Sequence, residues 1–404
     1  MENFKDKAQK AIDKKASYAQ DLDLNKYKVP ALDSNIHFDS PADFIQQEKE
    51  RMLEVGFVAE QAMRSGSFVQ KDNSAVIASS GQPGIEVMRI SQALKKYDWL
   101  KDYYWKAVEV DKDKYTAHVE INDADGYFIR SLPGVKSDMP IQTCLYISSA
   151  NSIQDVHNII IAEEGSELHI ITGCTVDHGA DHALHVGVSE FYVKKDSTIS
   201  FTMIHNWSKT TDVRPRTGII IDENGTYLNN YVLMRPVGTI QSYPMARCVG
   251  KNAVARFNSV IVCPKGSLMD IGGGVLLEAE GSRAEIVARS ITTGGEVISR
   301  GIMSATAPNV KGHLECTSLI MDQGGISDAI PQLRATVPNV DLTHEAAVGR
   351  IDEEEIEYLM SRGMSREKAT ATIVRGFLNM DISGLPAVLN DEIKKAIETA
   401  QEGI

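Results

Sequence analysis

A thiol, an imidazole and a carboxylate lie near one another toward the C-terminal end of the chain. Cys316 precedes Glu345 by 29 positions, and His344 is the immediate neighbour of Glu345. Thiolate, imidazole and carboxylate groups are all ligands of iron and other transition metals. We therefore take these three residues as a candidate ligand set for a transition metal.

A second group of reactive side chains lies between Gly173 and His185. It contains one thiol, three imidazoles and two carboxylates, from Cys174, Asp177, His178, Asp181, His182 and His185. Short histidine-rich tracts can bind zinc or iron. These spacings match no known zinc motif, and alternate residues of a strand face opposite ways, so not all six could converge. The tract is either an auxiliary metal or proton-handling site or a set of surface-loop histidines.

Several common reaction types find no support in the sequence. It has no G-x-x-x-x-G-K-[ST] loop for ATP, no G-x-G-x-x-G fingerprint and no G-x-S-x-G nucleophile elbow.

Three further cysteines are expected to be structural. Apolar residues surround Cys144, Cys248 and Cys263, and in such surroundings cysteine acts as a small hydrophobic residue.

The bulk composition is that of a soluble globular protein. The 404 residues are 43% hydrophobic and 24% charged, with a net charge of -13. This negative charge argues against binding to nucleic acid or to an anionic membrane. Five scattered cysteines favour reduced thiols, and neither a signal peptide nor an apolar membrane span is evident. We therefore expect a cytoplasmic protein.

The chain divides into three regions by sequence pattern. Residues 1–100 are predicted to form a helical N-terminal domain, since Phe4, Ala8, Ala11 and Ile12 share one helical face. A serine cap and a proline at Ser40–Pro41 predict the start of another helix.

Residues 101–342 instead alternate short β-branched runs with turns. The turns recur with a period of just under 30 residues and a half-period near 15. One strand and one turn in each half-repeat indicate a solenoid, specifically a parallel β-helix. The alternative is a β-sandwich, whose turns come at shorter spacing.

Residues 343–404 are predicted to return to helix, as a cap on the solenoid or a docking surface. Asp352 and Glu355 have the spacing of a capping box, and Gly363 is placed to end that helix. A last helix is predicted to begin at Asn390.

These motifs resemble the SufB/SufD family, scaffold components of the SUF system for iron–sulfur cluster assembly. The resemblance covers roughly residues 100 to 380. It rests on the stretches His344 to Asp352, Tyr358–Leu359, Arg362 to Ser365, Ile373 to Phe377, Gly173 to Thr175 with Leu184–His185, and His205 to Trp207.

The resemblance implies a fold and a set of partners. The fold would be a right-handed parallel β-helix flanked by helical N- and C-terminal domains. The chain would be a non-catalytic scaffold for a transient iron–sulfur cluster, formed at a dimer interface and passed to apo iron–sulfur proteins. It would pair with a second copy or with a SufB/SufD paralogue. A SufC-like ABC-type ATPase would supply the ATP hydrolysis, which fits the missing P-loop.

The resemblance also implies roles for individual residues. Cys174 would accept sulfur, and Cys316, His344 and Glu345 would be cluster or iron ligands. The ATPase would dock on the C-terminal helices, through Tyr358, Arg362, Gly363, Ile373 and Phe377. Thr172 and Thr343 stand where SufB proteins usually carry glutamate, so any proton or iron handling by those glutamates would either be absent here or fall to Asp177 or Asp181. The length of about 400 residues is similar to that of the compact single SufB/SufD-like proteins of minimal systems.

Two other functions compete with a scaffold. One is a β-helix enzyme acting on polysaccharide, which would need a groove of carboxylates and aromatic residues. The aromatic content of 6% counts against it. The other is a zinc or iron buffering protein that uses His178, His182 and His185.

Overall fold

A computed structural model of the protein describes residues 3–18, 20–31, 38, 40–59 and 64–378. It is a β-solenoid of about eight turns, with short helices toward both termini. The predicted parallel β-helix is confirmed. The helices are α1 Phe4–Ala11, α2 Gln46–Leu53, α3 Ile90–Lys96, α4 Lys114–Ile121, α5 Glu353–Ser361 and α6 Arg366–Leu378.

Strands make up most of the described chain. They are β1 Gly66–Lys71, β2 Ser74–Ser80, β3 Ile85–Arg89, β4 Tyr127–Ser131, β5 Ile141–Ile147, β6 Ile153–Ala162, β7 Glu167–Val176, β8 Leu184–Val193, β9 Thr198–Asn206, β10 Asp212–Val213, β11 Arg216–Ile221, β12 Thr226–Leu233, β13 Thr239–Ser242, β14 Met245–Cys248, β15 Val254–Pro264, β16 Leu268–Leu277, β17 Arg283–Thr293, β18 Glu296–Ala305, β19 Val310–Ile320, β20 Ile326–Ala335 and β21 Val340–Gly349.

Two sheets form the walls of the solenoid. The first has the strand order β2-β1-β5-β7-β9-β12-β15-β17-β19-β21, and the second contains the strands that alternate with them along the chain. Partners on neighbouring strands, such as Cys174 with His205 and Ser290 with Ser318, are about 30 residues apart, as the repeat predicts. We call the interior between the two sheets the lumen. Its packing includes Phe191, whose ring centroid lies 4.8 Å from that of Phe201 and 5.2 Å from that of Tyr227.

The turns explain the repeat that the sequence shows. At one corner of each coil a residue has a positive φ angle, which favours glycine, asparagine or aspartate because a larger Cβ substituent is strained there. In most coils the amide of this residue donates to a carbonyl of the next coil, as from Asp196 to Glu223 and from Asn224 to Lys251. The corner residues are Gly165, Asp196, Asn224, Asn252, Gly281, Asn309 and Asn339.

The structure differs from the predicted boundaries at both ends of the solenoid. Residues 66–89, expected in a helical domain, form β1 to β3, and β1 extends the first sheet by pairing with β5. At the other end β21 continues to Gly349, seven residues past the predicted boundary at 342. These segments are strands because each pairs with a distant strand of the solenoid, which no local pattern reveals.

Helix α6 lies against the outside of the first sheet, and α5 packs against α6. Asp352 caps α5 by accepting from the amide of Glu354, and Gly363 follows that helix with a φ of +92°. Val374 and Leu378 of α6 pack with apolar residues on the outer face of β15 and β17. The helix predicted to begin at Asn390 lies outside the described residues.

Candidate functional site

Cys316, His344 and Glu345 all lie in the last coil. Strands β19 and β21 pair in parallel, with Leu314 opposite His344 and Cys316 opposite Ala346. Side chains alternate between faces along a strand, so Cys316 and His344 share the inner face. Glu345 lies on the outer face, opposite Glu315. Within one chain, the last coil brings a thiol and an imidazole to one face and the carboxylate to the other.

The Cys316 side chain is nearly covered by its own coil. It is 2% exposed, and the Ser299 hydroxyl lies 3.6 Å from its sulfur. Burial raises the pKa of the Cys316 thiol, and the negative charge of Glu315 adds to this rise, while the Ser299 hydrogen bond opposes it. His344 is exposed. Metal coordination by Cys316 would therefore have to stabilise its thiolate form.

Thr343, where the resemblance leads one to expect glutamate, lies on the outer face beside a surface groove. Its hydroxyl lies 2.9 Å from Nδ1 of His313. The groove has a volume of about 380 Å³, and Arg256, Arg283 and Lys311 contribute positive charge to its lining. Among the described residues, no group of three or more histidine, cysteine, aspartate or glutamate side chains is arranged to hold a metal ion.

Cys174 occupies the lumen, several coils away from Cys316. It is fully buried, and burial raises the pKa of its thiol well above the ordinary value. Thr172, two residues earlier on the same face of β7, has its hydroxyl 2.7 Å from that of Thr143. The side chain two residues before Cys174, where the resemblance leads one to expect glutamate, is thus a hydroxyl paired with a second hydroxyl.

The six residues of the histidine-rich tract do not come together. His178, Asp181 and His182 are exposed in the loop between β7 and β8. Burial acts to raise the pKa of Asp177, but hydrogen bonds from the Tyr146 hydroxyl and the Gly179 amide outweigh it and lower that pKa. Of the three imidazoles, His185 enters the lumen, where it is 2% exposed.

His185 is held in the lumen as a neutral imidazole. Its Nδ1 lies 2.9 Å from Oε1 of Gln154, whose amide nitrogen donates to the carbonyls of Asp72 and Tyr146. Because that amide is oriented by both carbonyls, its oxygen accepts and Nδ1 of His185 carries the proton. Burial lowers the pKa of His185 to about 3.

This burial predicts a pH-dependent stability. Below the unfolded-state histidine pKa of about 6.5, the unfolded chain binds a proton that the folded His185 does not. The free energy of unfolding is therefore expected to fall as the pH drops from about 6.5 toward the folded pKa, by up to about 1.4 kcal/mol per pH unit for this residue. Denaturant unfolding of wild type and His185→Gln from pH 7 to 5 measures the difference in slope. If the free energy of unfolding depends equally on pH in wild type and His185→Gln, the prediction is wrong. His182→Gln, which changes an exposed histidine, is the control.

Comparison with known proteins decides the family. Residues 145–377 match the model of the "SUF system FeS cluster assembly, SufBD core domain". The chain belongs to the SufBD family. A relative named "Iron-sulfur cluster assembly SufBD family protein" from Archaeoglobus fulgidus is 51% identical over 88% of this chain and 96% of its own length. One of the same name from Methanothermobacter thermautotrophicus is 45% identical over 98% of both chains, and one from Pyrococcus horikoshii is 32% identical over 85% of this chain and 78% of its own.

The C-terminal residues that the SufBD resemblance singled out divide into two groups. Tyr358, Arg362 and Gly363 are exposed at the end of α5, where the Arg362 guanidinium donates to the Tyr358 hydroxyl at 2.9 Å. Ile373 and Phe377 are half-buried on α6, and the Phe377 carbonyl accepts from Arg289 of β17 at 3.2 Å. The first group is thus exposed in the described part of the chain, whereas Phe377 attaches α6 to the solenoid.

This SufBD chain also has lumen residues that the sequence did not mark as functional. His205 lies opposite Cys174 in the ladder, and its Nδ1 is 2.9 Å from the Tyr231 hydroxyl. Trp207 follows β9 and is 3% exposed. A cavity of about 50 Å³ has Tyr231 and Ala288 among the residues of its wall. Ala288 is the ladder partner of Cys316.

Of the helices in the described part of the chain, none has the length and apolar character to cross a membrane.

Proposed function

We propose that this protein is a cytoplasmic scaffold on which iron and sulfide are assembled into a transient iron–sulfur cluster. Membership in the SufBD family supports a part in cluster assembly. One structural observation supports the site: Cys316 and His344 share the inner face of the terminal coil. In the described chain, β20 and β21 each pair with one neighbour only, so this coil has two free edges.

Free strand edges favour a second chain beside them. An unpaired edge offers a row of amide and carbonyl groups for pairing, and a two-fold axis would bring the same residues of two copies together. Two copies would contribute two thiols and two imidazoles, with Glu345 as a further ligand from the rim. We propose a homodimer joined at this coil, with pairing to a SufB/SufD paralogue as the alternative. Thiolate, imidazole and carboxylate ligands together bind iron less tightly than four thiolates would. Such a site suits a cluster that must be transferred to an apo-protein.

Cys174 and the C-terminal helices would serve the other steps. Cys174 would accept sulfur as a persulfide. The C-terminal helices would dock a SufC-like ABC-type ATPase through Tyr358, Arg362 and Gly363, while the solenoid, which ends with β21 at Gly349, would carry the sulfur and cluster sites. ATP binding by the partner would then shift α5 and α6 and open the dimer at the terminal coil.

The shared site is tested by separating the two copies. Val348 is 44% exposed on β21, on the same face as His344. Val348→Glu would place two carboxylates near the two-fold axis, and we expect the dimer dissociation constant to rise at least about a hundredfold, since roughly 1.4 kcal/mol corresponds to tenfold. Sedimentation under anaerobic conditions measures the dimer, and visible absorption after addition of iron and sulfide measures the cluster.

Val249→Glu is the matched control, because Val249 is 37% exposed in a corner of a middle coil. It should retain both dimer and cluster. A Val348→Glu protein that stays dimeric would refute the interface at this coil. A monomeric variant that still forms the full amount of cluster would refute the sharing of ligands between two copies.

A further inference from the structure

A basic groove crosses the outer face of the first sheet and ends at its free edge. Its walls are two rows of ladder partners on β15, β17, β19 and β21, which begin with Val254 and Arg256 on β15. The intervening Ala255 belongs to the lumen core, so both rows point outward. Four neighbouring strands span about 14 Å, and the groove has a volume of about 380 Å³. Because it reaches Asp341 and Thr343 on β21, the groove is open toward a chain that pairs with that strand.

Two cations in this groove lack a counter-charge. Arg283 and Lys311 are exposed and lie directly opposite each other in the ladder of β17 and β19, where like charges destabilise a sheet. Within the described residues neither forms an ion pair, although Asp341 is opposite Lys311 on β21. The third cation of the groove, Arg256, lies 3.5 Å from a carboxylate oxygen of Glu285. Since the whole chain has a net charge of -13, two adjacent unpaired cations indicate a site for an anionic partner.

The chain carries a matching anionic segment just after the edge strand. Soon after β21 ends, α5 begins at Glu353 with three glutamates in its first turn, which we call the acidic turn. Glu353 pairs with Arg366 of α6. Glu354 and Glu355 are exposed and form no ion pair within the described residues. The helix dipole favours acidic residues at this end of a helix, so the acidic turn is stable before it meets a partner.

Within one chain, the basic groove and the acidic turn lie toward opposite ends of β21. The groove meets β21 at Asp341 and Thr343, near its amino end, whereas α5 follows its carboxyl end at Gly349. The strand from Thr343 to Gly349 is about 20 Å long. Helix α6 packs over the carboxyl halves of β15 and β17, on the outer face beyond the groove. The fold therefore keeps the two charged features apart, and an occupant of the groove must come from another chain.

A two-fold dimer at the free edge brings the groove and the acidic turn together. When β21 pairs with its own copy about an axis perpendicular to the sheet, the two strands run antiparallel. The carboxyl end of one β21 then lies beside the amino end of the other, where the groove opens. Such an axis also leaves the outer faces of both first sheets on the same side. Because a two-fold contact is isologous, each copy supplies its acidic turn and both grooves are filled.

We propose that the basic groove of each copy binds the acidic turn of a second copy, with Glu354 and Glu355 facing Arg283 and Lys311 across the dimer. This inference rests on the proposed dimer at the terminal coil and names a contact that stabilises it. It also selects one arrangement, since pairing of β21 with β20 of the other copy would place the acidic turn against the second sheet. Because α5 also carries Tyr358, a proposed ATPase contact, a shift of α5 would withdraw the acidic turn and weaken the dimer.

The test is the dimer dissociation constant of charge-reversed proteins, measured by sedimentation under anaerobic conditions. Arg283→Glu combined with Lys311→Glu replaces attraction by repulsion in both grooves, and we expect the dissociation constant to rise about thirtyfold or more at low salt. The loss should shrink at high salt, because exposed charges are screened. Glu354→Lys combined with Glu355→Lys should weaken the dimer to a similar extent. A protein with all four changes has opposite charges again, and its dissociation constant should return to within a few-fold of wild type.

The sign of each change separates a contact from general charge repulsion. Two acidic chains repel each other, so Glu354→Lys with Glu355→Lys would tighten the dimer if net charge alone mattered. A tighter dimer in that variant would therefore overturn the proposed contact. The control is Lys195→Glu with Lys209→Glu, which makes the same charge change as the groove variant at exposed lysines of middle coils. It should keep the wild-type dissociation constant within a few-fold.

A disulfide between two copies tests the contact directly. Lys311→Cys protein and Glu354→Cys protein are mixed, allowed to exchange subunits and oxidised. We expect a covalent dimer from the mixture, because the two positions face each other only between copies. The five native cysteines are buried and contribute little background. Lys195→Cys mixed with Glu354→Cys is the control and should stay uncrosslinked, since distant thiols cannot be bridged.

The outcomes distinguish this contact from the dimer itself. Wild-type dissociation constants in both charge-reversed proteins, or no cross-link in a mixture that still dimerises, would overturn the docking of the acidic turn and leave the dimer in place. A monomeric wild type, or a dimer that Val348→Glu does not weaken, would overturn the interface and the docking together. Melting temperatures identify any charge-reversed protein that fails to fold. The cysteine variants, each with one exposed residue changed, then decide the result.

Discussion

Cys316→Ala is expected to abolish the cluster absorption that appears when wild-type protein is incubated anaerobically with iron and sulfide. Cys316 lies on the inner face of β19, two residues beyond the partner of His344. Of the cysteines in the described chain, Cys316 is the one that lies in the last coils, next to the free edges of the sheets. Loss of its thiolate from both copies would leave imidazole and carboxylate ligands alone, and these do not retain an iron–sulfur cluster.

The matched control is Cys263→Ala, which removes a thiol from the same sheet. Cys263 is buried in β15, and burial raises the pKa of its thiol to about 12. Its sulfur lies 3.3 Å from the carbonyl of Glu296 and serves as a small core residue. We expect Cys263→Ala to lose some stability, as other large-to-small core changes do, and to keep its cluster. Equal absorption in Cys316→Ala and wild type would refute Cys316 as a ligand.

The other two proposed ligands, His344 and Glu345, should differ in their effect on cluster yield according to the face of the strand that each occupies. His344→Ala should lower cluster yield strongly, because His344 shares the face of Cys316. Glu345→Ala should have the smaller effect, because Glu345 points to the outer face beside Glu315. A larger loss in Glu345→Ala than in His344→Ala would mean that the second copy approaches from the outer face.

The sequence could predict the solenoid because its signals are local. Each corner needs a positive φ angle, and residues such as Asn224, Asn252 and Gly281 meet this need at a regular spacing. The strands between them are β-branched and apolar over short runs. The hairpin of β1 and β2 was missed, although Asp72 at its turn also has a positive φ, because the residues of β5 that pair with β1 lie 75 positions further along the chain.

The face of each site residue could not be predicted, because it depends on exact register. Cys316 and Glu345 are 29 positions apart, but the ladder pairs Cys316 with Ala346, 30 positions away. One residue of difference moves a side chain to the other face of a sheet. Likewise, Cys174 meets His205 because the step between β7 and β9 is 31 residues, lengthened by the loop at 177–183. Loop lengths of this kind are set by packing across the whole coil.

The largest effect on stability is expected at Glu190 of β8, in the second sheet. Its carboxylate is fully buried on the outer face of β8 and accepts from the amides of Trp105, Lys106, Ala107 and Val108, at 2.8, 2.7, 2.7 and 3.1 Å. Nε2 of His157 is also within 2.9 Å. Because this carboxylate ties the loop at 105–108 to the solenoid, Glu190→Ala would leave several buried donors unpaired.

We expect Glu190→Ala to lower the free energy of unfolding by about 3–5 kcal/mol, the range for removing one member of a buried charged network. Glu190→Gln keeps the shape but turns an amide N–H₂ toward backbone donors, so it should recover little of the loss. Glu278→Ala, which breaks the more exposed pair with Arg247, should cost less than about 1 kcal/mol. Denaturant unfolding measures all three, and limited proteolysis shows whether the loop at 105–108 is cleaved first. A Glu190→Ala protein as stable as Glu278→Ala would show that the loop is held by the packing of Trp105 and its neighbours, and that the carboxylate is replaceable.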